Sequence, residues 1–66
     1  MANVSIKFNN KDYLLSCDDG QEESLKKLTK FLDQKYSELK DKLGNIGENK
    51  LLLITTIQLI DEYFDL

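Results

Sequence analysis

Sixty-six residues predict one small domain, 1–66, near the lower limit for independent folding, where only about 60% of the unfolded chain's surface becomes hidden. Twelve acidic residues against nine basic ones, all nine of them lysine, give a net charge of −3. This excludes the clustered basic footprint and the arginine forks of a nucleic-acid binder. With no histidine and a single cysteine, Cys17, an internal disulfide is impossible and a structural zinc site has too few good ligands, so oligomerisation remains as the stabilising device.

Val4-Ser-Ile-Lys-Phe8 alternates apolar and polar residues, the period of a half-buried strand. Asn9-Asn10-Lys11-Asp12 follows, and asparagine tolerates the positive φ of tight hairpin turns. Tyr13, Leu15 and Cys17 resume the alternation, which predicts a hairpin over about 3–17. An isolated hairpin is marginal in water, so it must pack on something else.

The first helix is expected over about 20–43. Asp19 and Glu22 have capping-box spacing, and the acidic cluster suits a helix start. Leu25, Leu28, Leu32, Tyr36, Leu39 and Leu43 form a helical stripe, with Phe31 at its flank. Glu22–Lys26, Glu23–Lys27 and Glu38–Lys42 stand in the favourable i,i+4 order. Gly44 is placed to end the helix as its C′ residue, and Asn45 with Glu48 offers a second capping box.

The second helix is expected over about 48–66. Leu53, Ile57, Ile60 and Phe64 form one apolar stripe, with Leu52, Leu59, Tyr63 and Leu66 in another beside it. A helix apolar on so many faces needs burial, and a chain this short cannot cover it alone. The expected architecture is α+β, β-β-α-α, as an obligate dimer with Leu53, Ile57, Ile60 and Phe64 on the self-association face. No stop signal follows Leu66, so either the helix continues or the chain was cut inside it.

Nothing in the chain predicts catalysis or a cofactor. Cys17 lacks a histidine to activate it and fits the core alternation. The run Asp18-Asp19-Gly20 lacks calcium-loop spacing, and Asp61 and Glu62 diverge by about 100° on a helix. Gly44-x-x-Gly47 is too short for a phosphate loop. The amino terminus carries no secretory signal, and a lone cysteine fits the cytoplasm. Leu51–Ile60 is a ten-residue apolar stretch, short of the about 20 that insertion across a membrane requires. Lys26, Lys27 and Lys30 are read as a solvated face. Lys11, Lys40 and Lys42 are the candidates for meeting an acidic partner surface.

In order and spacing these pieces resemble the ZapA family, small bacterial division proteins associated with the FtsZ ring. The resemblance runs from Val4 to about Phe64. It is carried by Val4-Ser-Ile-Lys-Phe8, by Tyr13-Leu-Leu-Ser-Cys-Asp-Asp-Gly-Gln-Glu-Glu23, by Leu25, Leu28, Leu32 and Leu39, and by Asn49-Lys-Leu-Leu-Leu-Ile-Thr-Thr-Ile-Gln-Leu-Ile-Asp-Glu62. It implies a head domain whose second helix starts a coiled coil, forming a homodimer and, with a longer helix, an antiparallel tetramer. It also implies binding and bundling of FtsZ filaments at the cytoplasmic division site, without cofactor or catalysis. By position, Lys11 and Lys40 match basic positions of the family pattern, with Lys42 beside them. Stopping at Leu66 departs from that pattern, and so does Asn9-Asn10, where relatives carry glycine before a basic residue. The alternative reading is a generic homodimerisation module of a regulatory protein.

Overall fold

The alternating segment and its successor form an antiparallel two-stranded sheet in the computed structural model, which describes residues 1–65. Strand β1 spans Ala2–Phe8 and β2 spans Lys11–Cys17, with Val4 opposite Leu15, Ile6 opposite Tyr13 and Phe8 opposite Lys11. Asn9 and Asn10 turn the chain with φ of 53° and 63°. Two successive left-handed residues make the type I′ geometry, whose twist matches that of the strands. Asparagine tolerates it because its short polar side chain can bond locally.

Helix α1 spans Glu22–Leu43, and α2 spans Glu48–Phe64. The order is therefore β-β-α-α, an α+β fold, as the sequence predicts. Two compact units divide the chain, Met1–Gln34 and the stretch from Lys35 onward, with the boundary inside α1.

In the first unit Val4 and Phe8 are buried, whereas every β2 residue except the half-buried Cys17 is exposed. Helix α1 begins at Glu22, later than the sequence spacing predicts, and the expected capping box does not form. The Glu22 carboxylate instead turns back to accept the Gly20 N–H at 2.7 Å, while Asp19 meets the amino terminus at 3.6 Å. With Glu22 so engaged, Lys26 pairs with Glu23 at 3.7 Å, an i,i+3 pair in place of the expected i,i+4 one. The covered side of this half of the helix runs through Leu25, Thr29 and Leu32, leaving Leu28 and Phe31 exposed. Buried Thr29 satisfies its hydroxyl by donating to the Leu25 carbonyl at 2.8 Å.

The second unit packs Tyr36, Leu39, Leu51 and Thr55 as its buried residues. Gly44, at φ 77°, closes α1 by donating its N–H to the Lys40 carbonyl at 2.9 Å. This is the simple left-handed C-cap, for which glycine carries no Cβ penalty. The second capping box is also absent. Gly47 is the N-cap of α2 at φ 100°, with no side-chain cap bond, so Asn45 lies too early to cap a helix that starts at Glu48.

Candidate interaction surface

Helix α2 places its residues every 100°, which fixes what each side can do. Leu51 and Thr55, at 2% and 0% exposure, mark the buried side of the helix. Gln58 and Glu62 continue that side by the same periodicity. Glu62 accepts from Lys35 Nζ at 2.7 Å, tying α2 to the neighbouring half of α1. This bond to Glu62 holds the Lys35 ammonium above its ordinary range, opposed by partial desolvation and helped by the charges of Glu62 and Glu38. The Thr55 hydroxyl, which would otherwise be stranded, donates to the Leu51 carbonyl at 2.7 Å.

Leu53, Ile57, Ile60 and Phe64 lie on the other side of α2, roughly 200° from Leu51. They remain 60%, 57%, 51% and 76% exposed. Their spacings of 4, 3 and 4 align them in one seam. Tyr63 and Phe64 extend its lower end with an edge-to-face ring contact, centroids 4.9 Å apart. Of the second predicted stripe, Leu52 and Leu59 are half-buried and Tyr63 is exposed, while Leu66 lies outside the described residues. The chain therefore presents an apolar seam that its own second unit does not cover. Exposed apolar patches of this kind mark interaction sites.

Lys11 opens β2 at the hairpin tip, and Lys40 and Lys42 occupy the last turn of α1. All three are exposed. Lys40 and Lys42, two residues apart on a helix, diverge by about 200° and cannot grip one small group together.

Cys17 is half-buried and free. Desolvation, reinforced by the carboxylates of Glu22, Asp18 and Asp19, pushes its thiol upward from the ordinary range. That keeps it protonated and opposes a nucleophilic role. Among the described residues, no three of His, Cys, Asp or Glu converge as a metal site, and no helix is long and apolar enough to cross a membrane. Sequence patterning located the α2 seam but missed Thr55, Lys35 and Glu62, which decide which side of α2 faces inward. For Thr55 the only signal was polar character within an apolar run.

The chain is thus a small α+β domain of β-β-α-α order whose second helix presents an uncovered apolar seam. The profile described as "Cell division protein ZapA" matches residues 4–66, nearly the whole chain. The chain thus belongs to the ZapA family, and its role lies in cell division. Neither a curated protein nor a solved structure matches it.

Proposed function

We propose that this protein is a non-enzymatic, cytoplasmic adaptor of the bacterial division site that forms a homodimer and binds FtsZ filaments, promoting their bundling and ring assembly. The carrying observation is the seam Leu53, Ile57, Ile60 and Phe64, exposed on the side of α2 opposite Leu51 and Thr55. Two copies apposed along it would remove both seams from water, at about 25 cal/mol per Å² of apolar surface. Extended in register, the same spacing gives the start of a coiled coil, and a longer helix would then join two dimers into a tetramer.

Lys11, Lys40 and Lys42 are the proposed filament-facing residues. Their divergence suits a broad acidic surface better than a compact ligand, and such charges act mainly on association rate and specificity. Pairing two heads converts weak single contacts into avid bridging, provided that both heads can engage at once.

Sedimentation of purified FtsZ filaments with this protein tests the reading. Co-pelleting that weakens with salt and on reversing Lys11 and Lys40 is the expected result. Dimerisation without co-pelleting at any ionic strength would favour the generic homodimerisation module.

A further inference from the structure

The sheet has two strands, so β1 pairs with β2 along one edge and leaves the other open. Antiparallel ladders alternate, and residues facing each other across the turn exchange both hydrogen bonds. Phe8 and Lys11 close the two-residue turn. Counting back from them, Val4 and Ile6 direct their backbone groups to β2, whereas Asn3, Ser5 and Lys7 direct theirs to the open edge. The next residue in that series, Asn9, donates its N–H outward to Asp33 Oδ1 of α1 at 2.9 Å. Asp33 thus caps the end of the edge and leaves the groups of Ser5 and Lys7 for something else.

A cleft of about 360 Å³ borders these residues, lined on one side by Ser5, Ile6 and Lys7 and on the other by Lys26, Thr29 and Lys30 of α1. It falls in the size range of ligand sites, roughly 300–1,000 Å³. Three lysines border it. Lys26 is held loosely by Glu23 at 3.7 Å, and neither Lys7 nor Lys30 makes an ion pair among the described residues. The carboxylate at its end, Asp33, is already engaged by Asn9.

We propose that this cleft receives an extended acidic peptide segment from a partner, added as a third strand to the open edge of β1, with Lys7, Lys26 and Lys30 meeting its carboxylates. An open sheet edge beside a helix is the geometry of strand-addition recognition, in which main-chain bonds give affinity and flanking side chains give specificity. A second copy of β1 fits poorly. The strand Ala2–Phe8 has no acidic residue, so a second copy would bring Lys7 to the lysines of the cleft and no carboxylate to meet them. A lysine on an edge strand guards against that pairing, and the same charge selects an acidic guest.

The site is distinct from Lys11, Lys40 and Lys42, and its test does not require filament binding. The probe is a short fluorescein-labelled peptide alternating glutamate with valine, followed by anisotropy and by hydrogen exchange of the Ser5 and Lys7 amides. The acidic peptide is expected to bind roughly tenfold or more tightly than its lysine counterpart. The double variant Lys7→Glu, Lys30→Glu should reverse that preference, while Lys27→Glu, outside the cleft, should leave it unchanged. Ser5→Pro removes an edge donor without touching the β1–β2 ladder, where proline is tolerated, and should weaken binding roughly fivefold. Peptide-dependent protection of the Ser5 and Lys7 amides in the unsubstituted protein supports strand addition without relying on any variant. Equal affinity for both peptides, binding indifferent to Ser5→Pro, or unprotected amides in the complex would overturn the proposal. So would concentration-dependent protection of those amides in the protein alone, which would assign the edge to self-pairing.

Discussion

Helices α1 and α2 make opposite use of their sequences. Half-charged α1 supplies buried Thr29, Tyr36 and Leu39, yet mostly apolar α2 supplies only Leu51 and Thr55, one of them polar. Apolar content and burial therefore part company. Helix α1 buries part of its stripe in each unit and leaves Leu28 and Phe31 exposed, whereas α2 has apolar residues on opposite sides and only one side is covered. The uncovered side is the argument for a second chain.

The strongest way to break this contrast is Ile57→Asp. A charge placed in the proposed seam should cost about 3–5 kcal/mol of dimerisation free energy, read as a shift from dimer to monomer by sedimentation equilibrium. Because Ile57 faces away from Leu51 and Thr55, circular dichroism of the variant should remain helical. A dimer that survives the substitution would place the interface elsewhere.

Leu51→Ala probes the covered side of the same helix. Truncating a side chain 2% exposed should cost about 2–5 kcal/mol in urea denaturation and lower the midpoint with little change in slope. If Leu51→Ala proved harmless to folding and Ile57→Asp unfolded the protein, the two sides of α2 would have been assigned the wrong way round.

Asp33→Ala sharpens the picture in the first unit. It strands the Asn9 N–H and should destabilise by about 1 kcal/mol, with faster hydrogen exchange at Asn9. The smallest expected effect concerns Lys35 and Glu62. The folded-state value of Lys35 is raised, so the stability it contributes is fully present below the unfolded lysine value of about 10.4 and is lost as pH climbs through the folded value. A Glu62→Gln variant should show a flatter decline in stability over that alkaline window.

Much of this fold is written locally. The period-two alternation specifies β1, the paired asparagines specify the turn, and Gly44 stops α1 where its freedom at positive φ is needed. The α2 seam was equally legible, since helical spacing alone aligns Leu53, Ile57, Ile60 and Phe64. What sequence spacing misjudged depends on distant partners. Both capping boxes matched in spacing but failed because each helix starts later than its would-be cap. Leu28 sits on the predicted stripe of α1 yet stays exposed, because the covered side turns toward Thr29. The Asn9–Asp33 bond joins residues 24 apart, which no local pattern announces. Lys7 and Lys30 likewise become neighbours of one cleft only after the hairpin and helix are in place.

The back-to-back layout of α2 separates acquiring a fold from acquiring a mate, because different side chains serve each. Under the proposed pairing, melting temperature should climb with protein concentration, by mass action on the folded pair. Cellular abundance would then act as a throttle: sparse copies would stay single-headed and bridge nothing, and crowded ones would couple.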